Sequence, residues 1–166
     1  MNLVRVMRHF LTGQLAVRRI FPQKSLAHIE QAIMHSETSH EGQICFAVEA
    51  ALNTLPLLKK QTARDRAVEV FSRLRVWDTA NNNGVLIYVL LADRDVEIIA
   101  DRGIDCKVTH TEWETICREM EVLFRLQQFE AGAIAGINQV GLHLQKHFPA
   151  QSNRNKNELA DKPVIL

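Results

Sequence analysis

The sequence has no stretch approaching the roughly 18–20 consecutive apolar residues that a bilayer-spanning helix needs, so no segment reads as a membrane crossing. Cysteine is scarce and odd in number. Cys45, Cys106 and Cys117 lack paired spacing, which argues against a disulfide framework or a zinc cluster and points to a reducing, cytoplasmic setting. No phosphate loop of the GxxxxGK type and no GxGxxG fingerprint follows any strand-like run, leaving nucleotide binding without support. Aromatics are few: Tyr88 lies in an apolar strand pattern and Trp113 on a core stripe, so no platform for stacking nucleic-acid bases is visible. Acidic residues are missing from the N-terminal segment. Glu30 is the first, and Arg5, Arg8, Arg18, Arg19 and Lys24 precede it, although the formal net charge of the whole chain is only +1.

What remains is the composition of one ordinary domain. At 166 residues, 46% hydrophobic and 23% charged, the chain is long enough to bury a core and too apolar to stay unfolded. Segment 1–21 reads as a basic amphipathic helix, with Leu3, Val6, Met7, Phe10, Leu11, Leu15 and Val17 at helical spacing and arginines on the opposite face. Two readings of it stay open: packing of the stripe on the domain or a partner, and peripheral contact with a membrane surface. Arg8, His9 and Gln14 interrupt any signal-peptide core, while arginine without acid also matches an organellar presequence.

A domain over 22–149 follows. Ser25 is placed as the N-cap of a helix burying Leu26, Ile29 and Ile33, which stops before Gly42. Residues 44–51 read as a strand covered on both faces, in which Glu49 is expected to face a loop or to lie where the strand has left the sheet. Leu55, Pro56, Lys59 and Lys60 form a surface connection. Thr62 caps a helix with Ala63, Ala67, Val70, Phe71 and Leu74 as its core stripe. Thr109 and Glu112 have capping-box spacing ahead of Trp113, Ile116, Met120 and Phe124. A last helix starts near Glu130 and ends at Pro149, and the polar, Asn-rich segment 150–166 reads as a disordered tail. The predicted architecture is a three-layer α/β/α sandwich around a short mixed sheet: a βαβ unit, an antiparallel hairpin strand and C-terminal helices.

The most informative block is WDTANNNGVLIYVLLADRDVEIIADRGI at 77–104. Two apolar runs joined near Asp93 and Arg94 form a hairpin, which returns the Asp101-Arg102-Gly103 turn to the Asn81-Asn82-Asn83-Gly84 loop. Asp78, Asn83 and Asp101 offer the carboxylate and amide oxygens that Ca²⁺ or Mg²⁺ takes, with Glu37, His40 and Glu41 within reach of the same edge. Arg102, beside Gly84 and Gly103, is placed to hold a phosphate. The same Asn-Gly and Asp-Arg-Gly steps are also what tight turns need where φ is positive. Ser36, Thr38, Ser39 and Thr79 lie near this edge, but none has an assignable base and orienting acid.

This block, with FPQKSL at 21–26, SETSHEGQ at 36–43 and RVWDT at 75–79, resembles the TPM domain family over roughly 29–148, and most nearly its short soluble bacterial members. The resemblance implies an α/β/α sandwich and, in some members, a divalent-cation site at the loop edge. It also implies the acid-phosphatase activity proposed for plant thylakoid relatives, accessory roles toward membrane proteins, and a LemA-type membrane protein as partner. The chain departs from many relatives in having no signal peptide, C-terminal membrane helix or Gly-rich tail, and in carrying Cys106 and Lys107 near positions where relatives often place acids. The expected function is a partner-binding accessory module with Ca²⁺ or Mg²⁺ at the loop edge; the alternative is a metal-dependent hydrolase of phosphomonoesters.

Overall fold

The computed structural model describes residues 3–151 and 157–166. The N-terminal segment forms two helices where the sequence predicts one, α1 (Leu3–Leu11) and α2 (Gln14–Ile20). Thr12 Oγ1 donates to the Arg8 carbonyl at 2.8 Å and closes α1, and Gly13 stands as the N-cap of α2. The orientation of α1 is unexpected. Met7, Phe10 and Leu11 face solvent, whereas Arg5 and His9 face the domain and bind Asp93, Arg5 Nη2 at 2.7 Å and His9 Nε2 at 3.0 Å. His9 Nδ1 accepts from the Leu52 amide at 2.9 Å, so Nε2 carries the proton that it donates to Asp93.

Helix α3 (Gln23–Glu37) begins one turn earlier than expected, with Pro22 rather than Ser25 at the N-cap. Proline cannot supply a helical N–H and its fixed φ suits the entry to a helix. Ser25 is instead buried and bonded to Glu130. Strand β1 (Gln43–Glu49) follows, then a short helix α4 (Thr54–Leu58) within the expected surface connection, and α5 (Ala63–Arg73), whose Thr62–Asp65 capping box is complete. Strands β2 (Gly84–Leu90) and β3 (Asp95–Ala100) form the hairpin, α6 (Arg102–Asp105) is one turn after it, and α7 (His110–Arg125) and α8 (Phe129–His147) complete the helices. The Thr109–Glu112 capping box of α7 is also formed.

Strands β1 and β2 run parallel with Gln43 opposite Gly84, and every residue of both is buried, as a pair covered on both faces requires. Side chains alternate. Ile44, Phe46, Val48, Val85, Ile87 and Val89 pack under α3, α7 and α8, while Cys45, Ala47, Leu86 and Tyr88 pack under α4 and α5. The result is a three-layer α/β/α domain around a mixed sheet of order β3-β2-β1-β4.

The fourth strand corrects the reading of the tail. Residues 152–156 fall outside the described part of the chain, but 157–166 fold back, and β4 (Val164–Ile165) pairs parallel with β1 at Ala47 and Val48. Leu159, Val164 and Leu166 reach the second core and supply the apolar contacts that hold this otherwise polar segment. A second correction concerns Glu49. It stays in the sheet, buried, where its carboxylate receives Arg66 Nε and Nη2 at 2.9 and 3.0 Å and the Tyr88 hydroxyl at 2.7 Å.

Candidate functional site

Parallel pairing of β1 and β2 places their first residues at one edge of the sheet, and the antiparallel hairpin returns the end of β3 to that edge. The Asp101 amide donates to the Gly84 carbonyl and the Gly103 amide to the Asn82 carbonyl, both at 2.9 Å. These two bonds lock the Asn-rich loop to the turn. Asn82, and neither glycine, takes the positive φ, 51°, which corrects the expected reason for the glycines. Gly84 is required because a Cβ there would overlap the Val76 carbonyl, and Gly103 because a Cβ would meet the carbonyls of Asn81 and Asn82.

Asn83 is buried beneath the loop. Its amide accepts no contact from the turn but donates from Nδ2 to the Glu41 carbonyl at 3.2 Å, while its backbone N–H donates to Thr79 Oγ1 at 3.1 Å. Asn81 Nδ2 reaches Glu41 Oε2 at 3.3 Å. Asp101 caps α6, with Oδ1 accepting from the Arg102 amide at 2.7 Å. Two oxygens are left over: Asn83 Oδ1 and Asp101 Oδ2 are buried and accept no hydrogen bond. Burying such atoms unsatisfied costs about 1–3 kcal/mol each, so each calls for a positive or donating group.

Beside the loop, a cleft of about 880 Å³ opens between the end of α3, residues 80–81 and the returning tail, with Glu37, His40, Glu41, Asn81, Glu158 and Asp161 on its walls. Gln43 joins the parts: its Oε1 accepts from the amides of Glu158 and Leu159 at 2.7 and 2.8 Å, and Nε2 donates to Glu37 Oε2 at 3.4 Å. Glu37 Oε1 accepts from the Ile44 amide at 2.8 Å. Burial pushes the Glu37 carboxyl up to about 8, against the pull of the Ile44 N–H and with the charge and hydrogen bond of Asp161 adding to the rise. At neutral pH the Glu37 carboxyl therefore keeps its proton. His40 moves the other way; burial pushes its imidazole down to about 4, only partly opposed by the Gly42 carbonyl.

Comparison with known proteins fits this geometry. The model of the TPM domain matches residues 18–142. The chain belongs to the TPM domain family. An NMR structure of the BA42 protein from the psychrophilic bacterium Bizionia argentinensis sp. nov. shares 29% identity and a TM-score of 0.75, covering 86% of this chain and 93% of that one. No curated protein matches.

Within this TPM domain the expected site residues fall in three places. Asn83, Asp101, Arg102, Gly84 and Gly103 meet at the loop edge, Arg102 Nε donating to Asn82 Oδ1 at 3.3 Å, and Glu41 joins them through Asn81 and Asn83. Asp78 pairs instead with Arg75 at 2.8 Å on the exposed surface. Glu37 and His40 line the adjoining cleft. Among the described residues no three His, Cys, Asp or Glu side chains converge as a metal cluster, so a cation here would rely on amide and backbone oxygens as well as Asp101.

The structure also gives Ser36 a histidine that the sequence could not assign: Ser36 Oγ and His40 Nε2 are 3.0 Å apart, and His40 Nδ1 faces the Gly42 carbonyl at 3.1 Å. His40 is buried and Ser36 half-buried. Gly141 of α8 lies so close to Ser36 Oγ that a methyl group there would overlap it. The pair therefore packs α3 against α8. The participation of Gln43 and the tail was also invisible in sequence, since only the folded-back β4 brings Asp161 to Glu37.

The raised Glu37 carboxyl predicts a pH dependence. A carboxyl whose pKa is raised by folding stabilises fully below its ordinary value, near 4.5, and loses that contribution as pH rises through about 8. His40, lowered from 6.5, contributes its own loss only at more acid pH, and Asp95, raised to about 6, loses its contribution mostly below that. Between pH 6.5 and 8 the unfolding free energy is expected to fall by roughly 2 kcal/mol, and Glu37→Gln to flatten the profile. Urea unfolding at intervals across this window measures it, and parallel profiles for both proteins would contradict the assignment.

Proposed function

We propose that the protein is an accessory, partner-binding TPM module whose loop edge is organised by a divalent cation, Ca²⁺ or Mg²⁺. The observation that carries this reading is the pair of buried, unsatisfied oxygens, Asn83 Oδ1 and Asp101 Oδ2. Hard cations favour such oxygens, and the carbonyls of the 81–82 loop supply further donors of the same kind. A bound cation would neutralise Asp101 and stiffen the loop against the turn. Asp78 would have to release Arg75 to join it.

Partner binding is favoured over phosphate-ester hydrolysis by the cleft itself. An anionic ester entering it would meet Glu41, Glu158 and Asp161, whereas a cationic segment of a partner protein would be attracted. Ser36 packs against Gly141, and Arg102 is bonded to Asn82 and is not among the residues on the walls of the cleft. A membrane protein of LemA type, the partner that the family resemblance implies, would meet this edge with a basic loop.

Calorimetric and NMR titration with Ca²⁺ and Mg²⁺ tests the cation. Shifts are expected at 81–84 and 101–103, and Asp101→Asn, which keeps an oxygen for the α6 cap while removing the charge, is expected to weaken binding at least about tenfold. An unchanged spectrum at 81–84 would refute the cation. A tenfold or greater activity on a phosphomonoester panel, lost in Asp101→Asn, would refute the accessory role.

A further inference from the structure

At the opposite end of β2 from the loop edge, α1 turns its two faces the wrong way round for a helix that only packs on a domain. Arg5 and His9 fasten it inward on Asp93, and Met7, Phe10 and Leu11 are left at 56%, 68% and 80% exposure. A buried stripe normally drives helix docking. Here the pairing of Arg5 with Asp93 positions the helix, and although Val6 reaches the second core, Met7, Phe10 and Leu11 are held outward. Leu15 of α2 continues the exposed surface, and α4 adds Leu55 and Leu58 across a cleft of about 240 Å³ whose walls are His9, Phe10 and Gly13 on one side and Asn53, Thr54 and Leu57 on the other.

The segments that carry this surface, α2 and the end of α4, are rich in positive charge. Arg18, Arg19, Lys59 and Lys60 are exposed and form no ion pair among the described residues, and no acidic residue occurs in α1 or α2. We infer that the face built by α1, the start of α2 and α4 docks on an anionic lipid bilayer, its leucines and phenylalanine entering the interface while the arginines and lysines meet lipid phosphates. A large apolar face flanked by Lys and Arg is the pattern of interfacial helices, and each cation near an anionic surface adds about fivefold to partitioning. A second copy of the chain fits less well, because a two-fold pairing would set this positive charge on itself. Docked in this way, the domain would present its loop edge away from the membrane surface, toward the solvent-exposed parts of a membrane protein.

The test is flotation of the full chain with phosphatidylcholine vesicles, with and without phosphatidylglycerol, at low and high salt. Binding is expected only with the anionic lipid and is expected to weaken with salt. Phe10→Asp with Leu11→Asp should reduce partitioning at least about tenfold, and Arg18→Glu with Arg19→Glu by a similar factor. These side chains are exposed, so circular dichroism and thermal unfolding should stay unchanged and mark the loss as one of docking. Equal flotation of the wild type and the aspartate variant would overturn the proposal, as would a concentration-dependent dimer abolished by the same variant without vesicle binding. Asp101→Asn should float normally, which separates this result from failure of the loop-edge reading.

Discussion

Replacing Glu49 with alanine is expected to lower the unfolding free energy by roughly 3–5 kcal/mol, the cost of breaking a buried ion pair on one side. The carboxylate is the common partner of two groups. Arg66 holds it with both Nε and Nη2, and the fully buried Tyr88 hydroxyl donates to Oε2 at 2.7 Å. Alanine would leave a guanidinium and a phenol without their acceptor under α5, in a layer otherwise filled by Ala67, Val70 and Leu86. For a chain of this length the midpoint of thermal unfolding should fall on the order of 10 °C. Glu69→Ala is the control: it removes an exposed partner of the same arginine, bonded at 3.0 Å, and should cost about 0.5 kcal/mol or less. Denaturant unfolding of both variants is the measurement, and equal losses would show that the buried arrangement contributes no more than the exposed one.

Gly84→Ala is the second large effect, about 3 kcal/mol of destabilisation, because the added methyl group overlaps a backbone carbonyl and not a movable side chain. Relief would require Gly84 to retreat from Val76, and Gly84 is tied on two sides, paired with Gln43 in β1 and accepting the Asp101 amide. The strain should therefore spread to the loop edge. Weakened amide protection is expected at Asp101 and Gly103 as well as at residue 84, measured by hydrogen exchange. Gly13→Ala, where nothing lies within 4 Å of the added carbon, should change stability by about 0.5 kcal/mol or less. A Gly84→Ala protein as stable as the Gly13→Ala protein would mean that the 76–84 segment can shift without cost.

The sequence disclosed the elements whose signals are local. The capping boxes Thr62–Asp65 and Thr109–Glu112 mark the starts of α5 and α7, and the apolar runs around Tyr88 and Ile98 mark the hairpin that delivers Asp101 to Asn83. Features decided by distant partners stayed hidden. Glu49 looked misplaced because Arg66 and Tyr88 are assigned to it only by the crossover of α5 and the pairing of β1 with β2. The orientation of α1 was left open by its sequence because Arg5 and His9 find their partner, Asp93, more than 80 residues away. At the site, residue types and their meeting at one edge were legible, but the departure of Asp78 to Arg75 and the burial of Glu37 against Asp161 depend on side-chain geometry and on the returning tail.

That returning strand also imposes an order of assembly. β1 pairs with β2 on one side and with Val164 and Ile165 on the other, so its second edge stays open while the whole intervening chain is being made. At roughly 5–20 residues per second of synthesis, this interval is on the order of ten seconds. During it Ala47 and Val48 present unpaired amides and carbonyls beside an apolar surface, the condition under which strands recruit foreign strands. Completion comes with the Leu166 amide, which donates to the Val48 carbonyl at 3.0 Å, and with Gln14 Nε2, which donates to the Leu166 carbonyl at 2.7 Å and ties α2 to the last strand. Newly made copies are thus most exposed to mispairing on the ribosome, and chaperone demand in the cell should rise if residues after Lys162 are removed.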